Sequence, residues 1–330
     1  MNQIRLSICI PTYNRAKYLE QTLASILGQV GDEILPRIEI CISDNASTDD
    51  TEMLVHRLQQ SQRTKIVYSR NEKNEGADRN YMRAIELAGG DYCWFMGSDD
   101  LLNDGALARM LEEINSGHEI YLCDRVECDI EMQPRQERHW LPNIETDKSF
   151  RLDDKRELLS YLEESQSIGA LFSYLSSIIF KRANWERNPL KSGYIGTAYS
   201  HVYRLLSFIT EPCVLRYIRE PLILCRGQND SFESEGVVRR VMLDIDGYTL
   251  LAGDFFSDDA ELKSAFLRVL KRERPPLSTL IFVRLRTDAS TWSRLESSFR
   301  NAEYPWVLLK VIGHAKSMLY LMKRARPRGA

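Results

Sequence analysis

The segment YCWFMGSDDLL, residues 92–102, leads from five aromatic or apolar residues through Gly97 to two adjacent aspartates, Asp99 and Asp100. Two neighbouring carboxylates repel each other, and burying either costs free energy unless a positive group compensates. One interpretation is that the pair holds a cation. The alternative is that one of them caps the helix predicted just after it, because aspartate is a favoured N-cap residue.

The hundred residues up to this segment alternate β-rich runs with helical patterns. The strand patterns are RLSICI, RIEICIS, TKIVYS and DYCWFM, and a helical pattern follows each of the first three. This alternation predicts a mostly parallel sheet flanked by helices, with ligands at the carboxyl ends of the strands. Polar sequences stand at all four ends: PTYNR, DNASTDD, RNEKNEG and GSDD.

The rest of the chain predicts a continuation of this domain and then a helical region. Helical and strand-like patterns mix up to residue 225, except in QPRQERHWLPNIETDKSF, which predicts a loop. Helical patterns dominate from about residue 235. We expect a boundary near residue 230, in the polar sequence GQNDSFESEG.

Composition indicates a globular protein. With 43% hydrophobic residues and no uncharged apolar run of about eighteen residues, the chain predicts a large core and no membrane span. The N-terminal sequence enters a strand pattern directly, so we expect no secretion signal. Seven cysteines, without CxxC spacing, predict reduced core residues of a cytoplasmic protein and no structural zinc site.

Charge is unevenly distributed although the net charge is only −3. Residues 261–330 carry 15 Lys or Arg against 5 Asp or Glu, which leaves 29 against 42 for residues 1–260. A basic segment on an acidic body favours a polyanionic partner, either an anionic membrane or nucleic acid. We expect no nucleic-acid binding, since no recognised motif accompanies the charge.

The C-terminal sequence YPWVLLKVIGHAKSMLYLMKRARPR is typical of an amphipathic basic helix on an anionic leaflet. Its apolar residues at helical spacing are Trp306, Leu309, Ile312 and Leu319 or Met322. Its basic residues are Lys310, Lys316, Lys323, Arg324, Arg326 and Arg328. The alternative is a helix packed on the protein with a solvated basic end.

The four strand ends together would supply a nucleotide-diphosphate pocket. Tyr13 offers a ring face for a base, Asp44 an acceptor for a base or ribose, and Arg79 a positive fork for phosphates. Asp99 with Asp100 offers an oxygen-rich cation site. Simpler roles stay open: packing for Tyr13, helix capping for Asp44, and for Arg79 an exposed ion pair with an acidic neighbour at position 75 or 78.

The order and spacing of these motifs resemble the family 2 glycosyltransferases with the GT-A fold. The resemblance rests on SICIPTYNRAKYLEQTLASIL, ISDNASTDDT and NEGADRNYMRAIELAGGDYCWFMGSDDLL, within residues 4–104. It implies an α/β GT-A domain over residues 1–230, with a nucleotide-binding half (1–104) and an acceptor half (105–230). A helical, basic region (231–330) would follow.

The resemblance also implies functional residues. Donor contacts fall on Pro11, Tyr13, Asn14, Arg15, Asp44, Arg79, Ser98 and Asp99. Asp99 would hold Mn²⁺ or Mg²⁺, and Asp99 and Asp100 would serve catalysis. The family usually reads Asp-x-Asp-Asp, so Gly97 replaces the first acid and the ribose contact must come from elsewhere.

GSDD and the segment GYIGTAYSHVYRLLSFI most resemble O-antigen glycosyltransferases of the abequosyltransferase type. This implies transfer of a sugar, often a dideoxyhexose such as abequose, from a CDP-sugar to a lipid-linked oligosaccharide. The acceptor would be linked to polyprenyl diphosphate, at the inner face of the cytoplasmic membrane. The basic C-terminal region would contact the anionic membrane surface.

The catalytic base is open at this stage. Inverting family members usually take it from a Glu-Asp pair on a helix, which TAYSHVYRLL lacks. His201 stands there as a base or acceptor contact, with Tyr194 and Thr197 as further acceptor candidates, or it is a structural histidine. Without a base, a retaining displacement assisted by the leaving phosphate is conceivable.

Two other functions compete with a transferase. A sugar nucleotidyltransferase would need a glycine-rich, lysine-bearing phosphate loop after the first strand, which PTYNRAKY does not supply. A non-catalytic, degenerate transferase acting as a scaffold in polysaccharide assembly would explain both Gly97 and the missing base. Nucleotide binding separates the scaffold from the enzyme.

Overall fold

A computed structural model describes residues 4–229 and 236–313. In it the chain divides into two compact units, with the division between residues 230 and 231. The first unit contains a ten-stranded mixed sheet with helices, and the described part of the second unit consists of helices.

The first half of the first unit has parallel strands in the order β3-β2-β1-β4. These are β1 (Leu6–Thr12), β2 (Ile38–Asp44), β3 (Lys65–Arg70) and β4 (Tyr92–Phe95), joined through helices α1 (Ala16–Leu27), α2 (Thr51–Ser61) and α3 (Ala77–Glu86). Every residue of β1, β2 and β4 is buried. Strands covered on both faces read as continuous apolar runs, which is why their sequences predicted them well.

The second half of the unit mixes strand directions. Its strands are β5 (Leu101–Leu102), β6 (Ile120–Cys128), β7 (Pro134–Arg138), β8 (Lys148–Arg151), β9 (Ile178–Lys181) and β10 (Val214–Arg226). Its helices are α4 (Ala106–Glu113), α5 (Lys155–Glu164), α6 (Arg182–Arg187) and α7 (Ser200–Leu206). Strand β9 lies antiparallel between β4 and β6, and β10 runs parallel to β6.

The predicted loop after residue 132 was wrong, because it contains β7 and β8. Strand β7 pairs with β6 and β8 with β10, both antiparallel. All five residues of β7 and three of the four in β8 are exposed. Such edge strands depend on backbone hydrogen bonds to a neighbour and need no alternation of apolar residues, so the sequence carried no periodic signal.

The second unit contains α8 (Val237–Phe256), α9 (Ala260–Glu273), α10 (Pro276–Arg286), α11 (Ala289–Asn301) and a helix that begins at residue 306. Its core includes Tyr248, Phe266 and Phe299. Within the described residues, no helix is both long and apolar enough to cross a membrane. All seven cysteines of the chain are unpaired, and six of them are buried.

The predicted lipid-facing stripe of the C-terminal helix was wrong in part. Leu309 and Ile312 are buried, whereas Trp306 is exposed. The side chains that share the exposed face with Trp306 are Val307, Lys310 and Val311. The stripe and basic residues predicted between 316 and 328 lie outside the described residues.

Candidate functional site

The carboxyl ends of β1, β2 and β4 bring three predicted motifs to one edge of the sheet. Thr12 and Asp44 are paired at the ends of β1 and β2. The loops beyond them are tied together, because the Asn14 N–H donates to Ser47 Oγ at 2.8 Å and the Thr48 N–H donates to Asn14 Oδ1 at 2.7 Å. Asn14 has a positive φ of 51°, a conformation that asparagine tolerates better than most residues.

Asp99 lies just beyond β4 in a nearly closed cationic and polar shell. Arg15 Nη1 is 2.6 Å from Asp99 Oδ2, and Asn229 Nδ2 donates to the same oxygen at 2.6 Å. Burial and the neighbouring Asp100 carboxylate raise the pKa of Asp99 to about 6, against the opposing effect of Arg15. The Asp99 carboxylate therefore gains stability from any positive charge brought to it.

Asp100 holds the loop together and is itself almost fully buried. Its Oδ2 accepts hydrogen bonds from the Tyr174 hydroxyl at 2.6 Å and the Ser176 hydroxyl at 2.5 Å. Its Oδ1 accepts from the Arg226 N–H at 3.1 Å. Since both oxygens are occupied, Asp100 positions the loop that carries Asp99 and offers little to a ligand.

Neither aspartate caps the following helix. Strand β5 comes directly after Asp100, and α4 begins only at Ala106, with Gly105 as its N-cap residue in the left-handed region. The capping alternative is therefore wrong. The buried pair is explained by its cationic and hydroxyl partners, Arg15 on Asp99 and the two hydroxyls on Asp100.

Gly97 has no room for a side chain in this loop. A Cβ atom there would lie 2.9 Å from Asp100 Oδ2 and 3.2 Å from both Asp99 Oδ1 and Ser176 Oγ. The Gly97 N–H also donates to Ser176 Oγ at 2.9 Å. Where the family usually has an acidic side chain, this chain thus has a hydrogen-bond network in which the Ser176 hydroxyl contacts both Gly97 and Asp100.

The predicted base-binding residues differ in accessibility. The Tyr13 ring is 42% exposed, whereas Asp44 is fully buried. Asp44 accepts from the Tyr68 hydroxyl at 2.7 Å and the Ser47 N–H at 2.8 Å, and burial together with the hydrogen-bonded Asp44 raises the pKa of Tyr68. Asp44 does not cap α2, whose N-cap residue is Asp50. Pro11, near the end of β1, and Ser98, next to Asp99, are also buried.

Arg79 lies apart from the acidic pair, on the exposed side of α3. It lines a cavity of about 500 Å³ with Arg70, Lys73 and Arg83 among others, and no other predicted site residue lines it among the described residues. In the described parts of the chain Arg79 forms no salt bridge, so the ion-pair alternative has no support. Arg79 stays a candidate for phosphate binding.

The predicted acceptor residues face inward. His201 is 2% exposed, its Nε2 donates to the Phe172 carbonyl at 2.9 Å, and burial lowers its pKa to about 4. Tyr194 is fully buried, and Thr197 Oγ1 donates to the Tyr194 carbonyl at 2.8 Å. This geometry does not present His201 to an acceptor hydroxyl.

A carboxylate that the sequence analysis did not single out for function fixes the loop before α7. Asp78 is buried and accepts backbone N–H groups from Gly196 at 2.8 Å, Ala198 at 3.0 Å and Ser200 at 3.2 Å. It thereby connects α3 in the donor half with the predicted acceptor segment.

The sequence analysis missed the residues that follow β10. Arg226 donates from Nε to the Asp99 carbonyl at 2.9 Å, and its guanidinium lies 4.7 Å from the ring centre of Tyr18. Asn229 bonds the Asp99 carboxylate. The sequence GQND, in which we expected the domain boundary, is a polar run at a strand end, the same signal that identified the other four motifs.

Tyr174 links Asp100 to a second missed feature. The Arg125 guanidinium lies between two rings, 4.4 Å from the centre of Trp140 and 4.3 Å from that of Tyr174. Arg125 Nη2 also donates to Glu127 at 3.0 Å. These residues come from β6 and two separate loops, so no local sequence pattern marks them.

Metal binding can rest on Asp99. Among the described residues no group of three or more His, Cys, Asp or Glu side chains is arranged to hold an ion. Mg²⁺ is, however, usually held by one or two carboxylates together with substrate phosphates and water. One carboxylate in a site that favours added positive charge fits a cation of this kind.

Comparisons with known proteins identify the family. The model of the family described as "Glycosyl transferase family 2" matches residues 7–178, more than half of the chain. The abequosyltransferase RfbV of Salmonella typhimurium is 45% identical over 279 residues, which cover 84% of this chain and 83% of the relative. The GalNAc(5)-diNAcBac-PP-undecaprenol beta-1,3-glucosyltransferase of Campylobacter jejuni is 34% identical over 34% of this chain and 36% of its own length.

Two solved structures share the fold at 16% sequence identity. S. aureus TarS 1–349 in complex with UDP-GlcNAc has a TM-score of 0.66, covering 95% of this chain and 88% of its own. The mannosyltransferase PcManGT from Pyrobaculum calidifontis, in complex with GDP-Man and Mn²⁺, has a TM-score of 0.53, covering 98% and 88%. The predicted α/β GT-A fold is confirmed.

The family match and the 45% identical relative favour a transferase over a sugar nucleotidyltransferase and over a non-catalytic scaffold. The predicted enzyme class and the predicted resemblance are both confirmed. This chain is a glycosyltransferase and belongs to glycosyl transferase family 2.

Proposed function

We propose that this enzyme moves a sugar from a nucleotide-diphosphate donor to an O-antigen oligosaccharide linked to polyprenyl diphosphate. The sugar we favour is a 3,6-dideoxyhexose such as abequose, carried on CDP. The observation that carries the proposal is the 45% identity with an abequosyltransferase over 84% of the chain. The name of the Campylobacter relative, which includes PP-undecaprenol, supports a lipid-linked acceptor.

The reaction is assigned to residues 1–230, with a donor half (1–104) and an acceptor half (105–230). Residues 231–330 are assigned as the basic region that contacts the membrane, and its described part is helical. The enzyme acts at the inner face of the cytoplasmic membrane as a peripheral protein. The excess of basic residues after position 260 supports this, because the cytoplasmic leaflet is anionic.

The nucleoside end of the donor is assigned to the loops after β1 and β2. Tyr13 offers an exposed ring for stacking on a base. Asp44 accepts from the Tyr68 hydroxyl, a donor that a base N–H or a ribose hydroxyl can replace. Asn14 holds this loop against the loop after β2, and Pro11, near the end of β1, is assigned to the same donor site.

The diphosphate is assigned to Arg15, Arg79 and the loop of Ser98 and Asp99. Arg15 is paired with Asp99. A phosphate group can accept two parallel hydrogen bonds from a guanidinium, so the donor diphosphate can compete with the Asp99 carboxylate for Arg15. Arg79 is exposed and forms no salt bridge within the described residues, so it can add a second positive fork.

Asp99 is the residue that would hold Mn²⁺ or Mg²⁺. A bound cation would supply Lewis-acid neutralisation of the negative charge on the departing diphosphate. Asp100 fixes the loop that presents Asp99, through its bonds to Tyr174 and Ser176. We assign a structural role in the acceptor half to His201, Tyr194 and Thr197. No proton transfer is assigned to His201, because its side chain is buried.

A transfer assay tests the proposed reaction. Purified enzyme is incubated with a polyprenyl-diphosphate oligosaccharide and, separately, with sugars carried on CDP, UDP, GDP and dTDP, and the acceptor mass is followed. We expect the acceptor to gain one dideoxyhexose from the CDP donor. Asp99→Asn should lower the rate about 100-fold, the effect of removing a group that stabilises transition-state charge.

Asp104→Asn is the matched control, because Asp104 is an exposed aspartate a few residues away. Its rate should equal that of the wild type. Undiminished transfer by Asp99→Asn would overturn the assignment of Asp99. Absence of transfer from every donor, with nucleotide binding also absent, would favour the scaffold.

A further inference from the structure

Exposed large apolar side chains concentrate in two helical segments of the second unit. Of the eleven among the described residues, six lie in α10 and in the helix that begins at residue 306. These six define the C-terminal apolar patch: Leu277, Ile281, Leu285, Trp306, Val307 and Val311. Their exposures range from 42% to 71%, so each presents much of its side chain to solvent.

Helix α10 is apolar on two faces, which an ordinary surface helix is not. Its buried face includes Leu280 and Val283, which pack in the core. Its outer face carries Leu277, Ile281 and Leu285 at intervals of four residues, and these lie in one stripe along the helix. A helix of a water-soluble surface normally has polar residues there.

The helix that begins at residue 306 adds residues typical of a membrane interface. Lys310 Nζ lies 3.8 Å from the ring centre of Trp306, and the Arg300 guanidinium lies 5.6 Å from it. Val307 and Val311 are one turn apart beside them. Tryptophan with lysine or arginine is favoured at the boundary between lipid headgroups and acyl chains, where the ring is half-buried and the cation reaches water.

The two segments belong together and share a charge sign. The Arg284 guanidinium, near the end of α10, donates to the Gly313 carbonyl at 3.3 Å, so the two helical segments are in contact there. From residue 276 to the end, the chain carries ten Lys or Arg against three Asp or Glu. An apolar stripe within a strongly basic segment is complementary to an anionic lipid surface, and it is not complementary to a second copy of the same basic segment.

We propose that the C-terminal apolar patch is the lipid-binding face of this enzyme, with its aliphatic side chains inserted among the acyl chains of an anionic bilayer. The inference rests on the proposed function, since a lipid-linked acceptor requires work at a membrane. This proposal places the membrane contact on α10 and on Val307 and Val311, instead of on the apolar stripe that the sequence predicted. The basic residues then lie at headgroup level, where they add electrostatic attraction.

Flotation with vesicles of phosphatidylethanolamine and phosphatidylglycerol tests the proposal in the full-length enzyme. The double variant Ile281→Asn, Val311→Asn removes apolar surface without changing charge. We expect it to bind these vesicles about tenfold more weakly than the wild type, as the loss of two buried aliphatic side chains predicts. The matched control is Val237→Asn, Leu250→Asn, which replaces two exposed apolar residues of α8 outside the patch and should bind like the wild type.

A second measurement reports insertion directly. In Ile281→Trp, fluorescence should be quenched by brominated lipids, whereas Val237→Trp should show no quenching beyond that of the native tryptophans. The rate of transfer to a water-soluble acceptor should be equal in all variants, because that reaction needs no membrane. This measurement distinguishes failure of the membrane proposal from failure of the proposed reaction.

Three results would overturn the proposal. The first is a wild-type enzyme that does not float with anionic vesicles. The second is equal binding by the patch variant and the wild type. The third is a wild-type dimer in solution that the patch variant dissociates, because the patch would then be a contact between two copies.

Discussion

At the scale of single residues, Gly97 determines how this site differs from its family pattern. The usual acid is replaced by a residue without a side chain, and a Cβ there would press on Asp100 and Ser176. The Asp100 oxygen cannot move away easily, because two hydroxyls hold it. The missing side chain at Gly97 therefore leaves room for the Asp100 carboxylate, whose hydrogen bonds fix the loop that carries Asp99.

We expect Gly97→Ala to lower both stability and turnover. The added methyl group must displace the Asp100 carboxylate, at a cost of about 1–3 kcal/mol in the free energy of unfolding, as for other overpacked sites. Turnover should fall because Asp99 moves with the loop. Thermal unfolding and the transfer assay measure the two effects.

Gly31→Ala is the control, since a Cβ at Gly31 meets no atom within 4 Å. It should match the wild type in both measurements. A Gly97→Ala enzyme with unchanged melting temperature and turnover would show that the loop has room after all.

At the scale of elements, the sequence predicted the strands and helices that are marked by a hydrophobic pattern within their own residues. The buried strands β1, β2 and β4 and their polar ends could be read in order, as could the helices of the second unit. The edge strands β7 and β8 could not, because their residues are mostly exposed and their stability comes from partners far away in sequence. The shell of Asp99 was not predicted: Arg15 was expected to contact the donor and instead pairs with Asp99, and Asn229 comes from 130 residues later in the chain.

Asp78 shows how one side chain can determine the course of a remote loop. Asp78→Ala would remove the charged acceptor of three backbone N–H groups, one of them that of the buried Ser200, which should lower the free energy of unfolding by about 3 kcal/mol. Denaturant unfolding measures the loss. Asp50→Ala is the control, because Asp50 is exposed and makes no capping bond through its side chain; a loss as large in the control would refute the assignment.

At the scale of the whole molecule, charge is divided between two tasks. The donor diphosphate must approach the acidic part of the chain, and there Arg15 and Arg226 lie against Asp99 and supply positive charge. The basic part, after residue 260, carries the contact with the anionic membrane in our proposal. The net charge of −3 thus conceals an acidic part of the chain and a basic part.

Stability of the whole chain should fall on mild acidification because His201 is buried in its neutral form. Its folded pKa is about 4, against 6.5 for an ordinary histidine. Between these values the unfolded chain binds more protons, so stability rises with pH there. The contribution, about 3 kcal/mol, is fully present above pH 6.5 and lost as the pH falls to 4.

His201→Gln keeps a donor for the Phe172 carbonyl but cannot titrate. Denaturant unfolding from pH 7 to pH 4 should therefore show a smaller loss of stability in this variant than in the wild type. Parallel pH profiles for the two proteins would contradict a buried, neutral His201.

The most direct test of the central claim is calorimetry of CDP binding to the wild type and to Asp99→Asn, each with and without Mn²⁺. If Asp99 holds the cation beside the donor diphosphate, Mn²⁺ should tighten CDP binding to the wild type about tenfold or more and have little effect on the variant. An equal Mn²⁺ effect in both proteins, or no CDP binding by the wild type, would contradict the account.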